Sequence, residues 1–562
     1  MDRRWYKVWP VWVPKNFEAE KPTSEYIREW ATYTPDKIAL SFYGKDITYR
    51  EINSLIDRAA WGLVELGVKK GDRVAIHMEN CPQFVIGYFA TLRAGGTVVP
   101  VNPMFKHAEL EHEINDAGAE TLIGLDYLYP EVEKARNSIR LKNVILTSLR
   151  DYLPDKPLLA LPSEANEEKR SFPGTLDLGE LISRSQDRPI CNVTDLKTDL
   201  ALLQYTGGTT GIPKGAMITH HTLAYVSLGT MFWYHHREDD VHLGVTPFFH
   251  TMGQQQLMCT PLVSGGRVVV LSRFVPETVA QAITHYRCTY WVGATTMVIA
   301  LLSLPNIKRY DFTSFRCLWS GGTPISVELQ KKLKELAPNA IIGEGYGLSE
   351  TISQGGCITP LYRYKPGFLG IPQLSDIRIM DLETGTREMG PNEEGEITIK
   401  GPAVMIGYWN KPEETKQVLR DGWLYTGDIG LMDEEGYIKF LGRKREMIKC
   451  SGYSVFPAEV EDLLYRHPGV KEASVIGISD PYRGETPKAF IILRPEYVGK
   501  VTEEEILQWC KENMAAYKRP RFVEFRRDLP KSAAGKILKR VLVEEESKRG
   551  GEQKEPEPET RR

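Results

Sequence analysis

The sequence contains no C-x-x-C pair; its eight cysteines are scattered at positions 81, 191, 259, 288, 317, 357, 450 and 510. That spacing supports neither a zinc ribbon nor a redox dithiol, and it predicts buried, unpaired thiols in a reducing compartment. Charge of one sign is scarce as well. A formal net charge of −3 over 562 residues gives no general attraction to nucleic acid or to an anionic membrane. Long apolar runs are missing: the longest, WVGATTMVIALLSL at 291–304, is shorter than the ~20 residues a spanning helix needs. The opening stretch, MDRRWYKVWPVWVPKNF, has aromatics, charges and two prolines instead of the apolar core of a signal peptide. Together these absences predict a cytoplasmic protein with no transmembrane segment. Internal repeats are also lacking.

What is present is core-forming material in alternating units. Hydrophobic residues make up 42% of the chain, enough for several packed cores. Thr48 and Glu51 have capping-box spacing ahead of EINSLIDRAAWGLVEL, with Gly67 as the stop. The short apolar runs RVAIHM, TVVPVN, AETLIG, KNVILTS, GRVVVLS, RCLWSG and AIIGEGYG end near Gly, Pro or Ser, as buried parallel strands do. This alternation predicts an α/β fold: a large amino-terminal part with mostly parallel sheets, and from about 446 a small α+β part. Residues 151–190 are polar and proline-bearing and read as an insertion or long surface loop. The tail EEESKRGGEQKEPEPETRR reads as disordered.

Within this frame the stretch YTGGTTGIPKGAMITH, at 205–220, asks for an anion. Gly207, Gly208 and Gly211 let main-chain N–H groups converge on one ligand. Thr206, Thr209 and Thr210 add hydroxyl donors, and Lys214 adds a point charge. That set suits a polyphosphate, yet it is no Walker loop, because Pro213 precedes the lysine and Gly215 follows it. Any magnesium ligand must come from elsewhere. The same composition also suits a surface turn, and the loop alone does not separate the two.

Several further stretches occur in an order that resembles the adenylate-forming superfamily, and especially its acyl-CoA synthetases, from about residue 20 to 543. YTGGTTGIPKG resembles the phosphate loop, with Gly207 where serine is usual. PFFHTMG, at 247–253, resembles the aromatic-histidine motif beside the acyl group and implies His250 as a carboxylate or pocket-wall residue. SGGTPIS and GEGYGLSET resemble the adenine and acyl segments. They imply Gly321, Gly322 and Thr323 near the base with Glu344, Gly345 and Gly347, Tyr346 stacked on the base, Thr351 at the phosphate, and Glu350 as the magnesium ligand. Asp428 in YTGDIG matches the ribose aspartate and Arg443 the ribose arginine. Arg445 stands at the hinge position, where Asp or Lys is usual. Lys449 and Gly452 fall on the loop facing coenzyme A in a second conformation, and Lys536 in PKSAAGKILKR matches the mobile catalytic lysine.

The resemblance implies ATP, Mg2+ and CoA as the small molecules of two successive displacements: a carboxylic acid becomes an acyl adenylate, and a thiol then replaces AMP. It divides the chain into an adenylation domain at 1–442, a hinge at 443–445, a mobile domain at 446–543 and a tail at 544–562. The acyl pocket falls on Thr251, Met252, Gly253, Gly293 and Gly343. Overall texture is most similar to medium- to long-chain fatty acyl-CoA synthetases, with a cinnamate-type aryl acid as the near rival. An enzyme with a non-CoA acceptor and a nucleotide-binding module without catalysis are the other classes. The resemblance leaves room for a homodimer and for peripheral contact with a membrane.

Overall fold

The computed structural model describes residues 3–206, 213–321, 325, 327–450, 453–480, 483–532 and 537–552. Four sheets organise the chain. The first has seven strands, in the order Leu176–Asp177, Asn143–Thr147, Thr121–Leu125, Arg73–His77, Thr97–Val101, Leu200–Tyr205 and Gly215–Thr219. All its neighbours run parallel except the last pair, an antiparallel hairpin. The second has nine strands, and its parallel centre contains Ile341–Tyr346, Cys317–Gly321, Tyr290–Ala294, Val241–Gly244, Arg267–Val270 and Ile38–Phe42. Each expected apolar run is one of these strands. Both faces of such sheets are covered by helices, so the strands are apolar throughout rather than alternating.

Local signals explain the helix boundaries. Thr48 N–H donates to Glu51 Oε2 at 2.7 Å and Glu51 N–H to Thr48 Oγ1 at 3.2 Å, which starts the helix Tyr49–Glu65. Gly67, at φ +89°, takes the left-handed turn that ends it. Thr502 Oγ1 likewise accepts from Glu505 N–H at the start of Glu503–Asn513.

A third, antiparallel sheet holds Asp376–Met380, Gly395–Lys400, Trp423–Met432, Leu419–Arg420 and Ile438–Arg443. The fourth holds Tyr453–Val455, Ile448–Cys450, Gly484–Leu493, Val470–Asp480 and Phe522–Phe525, over its own core of Val460, Leu464, Val475, Ile491 and Ile506. Between them, Phe456 is buried against Ile429 and Leu441 of the third sheet.

Three readings of the sequence change. Residues 151–190 are not all loop: Leu176–Asp177 adds an edge strand, and the helix Leu178–Arg184 presses Leu181 on Gly62 so closely that a Cβ there would lie 2.6 Å from it. Residues 544–552 are not a disordered tail; they continue the helix Lys539–Glu552. Leu542 is fully buried, and Glu545 and Glu546 pair with Arg526 and Lys488 at 2.7 and 2.8 Å, so the charges that suggested solvation are used in ion pairs. Seven cysteines are buried, but Cys191 is exposed. No described helix is long and apolar enough to cross a membrane.

Candidate functional site

The carboxyl ends of the parallel strands open into a cleft of about 2070 Å³ that reaches the third and fourth sheets. Gly207, Gly208, Thr209, Thr210 and Gly211 lie outside the described residues, but the base of their loop is fixed. Tyr205 pairs with Gly215, and Thr206 N–H donates to the Lys214 carbonyl at 3.0 Å. The two strands thus pair up to the described ends of the loop, and Thr206 and Lys214 line the cleft. Lys214 Nζ lies 4.9 Å from the centroid of the Tyr408 ring. The Tyr408 hydroxyl donates to Glu350 Oε1 at 2.7 Å. One tyrosine thus joins the cation of the loop to the carboxylate expected to hold magnesium.

A second anchor stands at the third sheet. Asp428, 3% exposed, pairs in register with Arg443 across the strands Trp423–Met432 and Ile438–Arg443. Arg443 Nε lies 3.4 Å from Asp428 Oδ1, and Tyr346 Oη donates to Oδ2 at 2.7 Å. The expected base-stacking tyrosine and the expected ribose carboxylate are therefore one unit. Two oxygens offer further lone pairs, so Asp428 can still accept from a vicinal diol.

His250 caps the helical segment Thr251–Gln254, and its Nδ1 accepts from Met252 N–H at 3.3 Å. With Nδ1 accepting, a neutral ring carries its proton on Nε2. Glu344 also lines the cleft. Burial pushes its carboxyl up to about 8, opposed by hydrogen bonds from Ile325 and from Gln330, whose amide donates at 3.0 Å. Burial therefore favours its protonated, hydrogen-bonding form.

Other expected residues take structural positions. Thr351 is fully buried, and its hydroxyl closes its own turn, accepting from Leu348 N–H at 3.0 Å. Met252 and Thr251 line the cleft, as does Gly321, where a Cβ would lie 2.8 Å from Met252 Sδ. Gly345 and Gly347 line it too, and a Cβ on Gly347 would collide with the Ser353 carbonyl at 1.9 Å. Gly253, Gly293 and Gly343 sit in packing: a Cβ would lie 2.3 Å from the Pro247 carbonyl oxygen, 2.5 Å from Trp291 and 2.2 Å from Trp319 respectively.

Arg445 lines the cleft beside Arg443, and burial, then that neighbouring charge, lowers its pKa. Lys449 is exposed on Ile448–Cys450, with its N–H bonded to Glu485 at 2.7 Å. Gly322, Thr323, Gly452 and Lys536 lie outside the described residues. The segment carrying Lys536 begins and ends at a Lys531–Ile537 bridge, and both Ser532 and Ile537 line the cleft.

Several cleft residues carried no signal in the sequence: Tyr408, Tyr234 and Trp319 gain their roles only from distant neighbours, as does Gln330, which donates to Glu344. Glu113, whose carboxyl is pushed up to about 8 by burial and then by Asp116, is another. Among the described residues, His236, Asp240 and His242 bring possible metal-ligating atoms within 4.8 Å of one another. Asp240, however, already accepts from Arg316 at 2.9 and 2.6 Å, from Arg237 N–H at 2.8 Å and from Thr289 at 2.7 Å. A guanidinium holds its charge, so the group is a buried ion-pair core.

The family model for AMP-binding enzymes matches residues 27–409, and that for the AMP-binding enzyme C-terminal domain matches 459–536. A long-chain-fatty-acid–CoA ligase of Bacillus subtilis (strain 168) is 39% identical, with 97% of this chain and 98% of that protein covered. A probable 4-coumarate–CoA ligase of Dictyostelium discoideum is 33% identical, over 93% and 95%. Among solved structures, the anthranilate CoA ligase AuaEII in complex with anthranoyl-AMP superposes with a TM-score of 0.85 at 26% identity, covering 95% of this chain and 99% of that one.

Proposed function

The chain belongs to the AMP-binding enzyme family, and from that premise we propose that it is an ATP-dependent acyl-CoA synthetase for medium- to long-chain fatty acids. The observation that carries the reading is convergence. Lys214 and Glu350 meet at Tyr408, Tyr346 and Arg443 meet at Asp428, and all of them line one cleft with His250. A fatty acid is favoured over a cinnamate-type acid by the 39% identity to a protein named for long-chain acids, against 33% to the one named for coumarate.

In the first step the acid carboxylate attacks the α-phosphate of ATP, forming an acyl–phosphate bond and releasing pyrophosphate. No general base is required, because the carboxylate is ionised at neutral pH. The barrier is the meeting of two anions, so preplaced donors and cations lower it. Asp428 accepts from the ribose, Thr206 and Lys214 hold the phosphates, and His250 donates to the acid from Nε2. Tyr408 occupies only Oε1 of Glu350; Oε2 makes no hydrogen bond among the described residues, and a free hard oxygen suits magnesium. Magnesium bound there would supply positive charge beside the phosphates. Lys536 adds an ammonium from the Lys531–Ile537 segment.

In the second step the CoA thiol attacks the activated carbonyl and AMP leaves with its electron pair. Lys536 must withdraw to admit the thiol. A swing about Arg445 that brings Lys449 and Gly452 forward accomplishes this. The test is ATP–pyrophosphate exchange across a graded panel of fatty and aromatic acids. Exchange without CoA, and thioester only with CoA, is the expected result. Exchange with no acid of the panel would refute the reading.

A further inference from the structure

We infer that Trp319, backed by Tyr234 and Tyr290, is the blind end of the acyl pocket and sets the longest tail the enzyme accepts. The inference rests on the synthetase reading and adds a chain-length limit to it.

His250 stands at the start of the contiguous helical segments Thr251–Gln254, Gln255–Cys259 and Thr260–Ser264. Met252 and Gln256, four residues apart on that helix, both line the cleft, so the wall runs inward by about 6 Å between them. Opposite lies the row Val292, Trp319 and Gly343, which are paired neighbours across three parallel strands and therefore share one face. The indole of Trp319 lies over Gly343, where a Cβ would come within 2.2 Å of Cζ3. Only a glycine lets the ring take that place.

The ring is held from the other side. Its centroid is 4.8 Å from that of Tyr234, which is 5.4 Å from Tyr290, whose hydroxyl donates to Gln256 Oε1 at 2.8 Å. Trp319, Tyr234 and Gln256 face the cleft, and Tyr290 does not. Among the described residues, the groups packed behind this wall are polar. His236 and His242 lie 4.7 and 5.1 Å from the Tyr290 ring, and behind them sits the Asp240–Arg316 ion pair. A methylene pushed past the indole would meet imidazole and ionic groups, which apolar surface does not favour. The limit is therefore a hard stop, and removing Trp319 would open the space of one indole, not a tunnel.

The test is kcat/KM across saturated acids of increasing length, for wild type, Trp319→Ala and Gly343→Ala. Each carbon that gains apolar burial is worth about fourfold. Trp319→Ala should therefore raise the ratio of kcat/KM for acids beyond the wild-type optimum to that for acids at it by at least tenfold, and the gain should level off after a few carbons. Gly343→Ala places a methyl in the ring and should move the optimum to shorter acids. Opposite shifts in the two variants cannot come from general loss of stability. If both variants turn over acids with the wild-type length profile, Trp319 is not the stop. If Trp319→Ala gains without limit as the tail lengthens, the polar barrier behind it is refuted. Absence of exchange with every acid in wild type would instead overturn the synthetase reading itself.

Discussion

Tyr408 donates its hydroxyl hydrogen to Glu350 Oε1 at 2.7 Å while its ring lies 4.9 Å from Lys214 Nζ. A hydrogen bond to a charged group contributes about 1.5–3 kcal/mol, and here it orients one carboxylate oxygen. Tyr408→Phe keeps the ring beside the lysine and removes only that bond. Exchange by this variant should need about tenfold more magnesium for half-maximal rate, with a smaller change in kcat at saturation. A magnesium titration of exchange checks this; an unchanged half-maximal concentration would show that Glu350 does not bind the ion.

Tyr346→Phe should act on the nucleotide. The ring remains, and the donor that fixes Asp428 Oδ2 is lost. KM for ATP should rise about tenfold, in line with one charge-assisted bond, while KM for the acid moves much less. Equal rises in both constants would mean that the pair holds the cleft together rather than the ribose.

Lys536→Ala should separate binding from chemistry. Loss of an ammonium aimed at developing charge costs about a hundredfold or more in rate. Acid-dependent exchange should fall by that factor, and ATP affinity measured by calorimetry should fall far less. Thioester formation from supplied acyl adenylate should persist, because in the proposed second step the lysine has left the site. Wild-type exchange in the variant would remove Lys536 from the mechanism.

Glu344 has a carboxyl raised from 4.5 to about 8 by burial. Between those values the folded state keeps a proton that the unfolded state has released, so stability falls as pH rises through this window. Glu113, also raised to about 8, contributes a slope of the same sign. Glu344→Gln mimics the neutral form at every pH. Its Tm relative to wild type should improve between pH 5 and pH 8, by roughly 2–4 °C. Thermal melts at the two values check the sign; a relative Tm that drops instead would show that Glu344 is ionised in the fold.

How much of this was legible in the sequence depended on how far apart the partners are. Thr48 and Glu51 are three residues apart, so the capping box could be read directly and is present atom for atom. The strand runs were legible because both faces of the parallel sheets are buried. Asp428 and Arg443 were found by motif, and their pairing follows from two adjacent strands. The Tyr346 hydroxyl bond to Asp428, 82 residues away, was not visible. Tyr408 sits in VMIGYWN, with no charge or spacing to mark it, and becomes notable only when the fold brings Glu350 to it. Trp319 looked like one more apolar strand residue, because its meaning lies in the missing side chain of Gly343. Composition misled at 544–552, where charges that usually mean solvent are matched by Lys488 on a packed strand and by Arg526 at the end of its neighbour.

Phe456 has a mechanical consequence. Its ring is buried in the third sheet while its own strand and helix neighbours belong to the fourth. Any large rotation of the fourth sheet about Arg445 has to draw that ring out into water, exposing apolar area worth about 25 cal/mol per Å². On the proposed mechanism the latch makes this rotation an activated event rather than a free drift, and its rate should climb steeply with temperature. In such an enzyme the thermometer, as much as the reactants, sets the tempo at which one half-reaction gives way to the next.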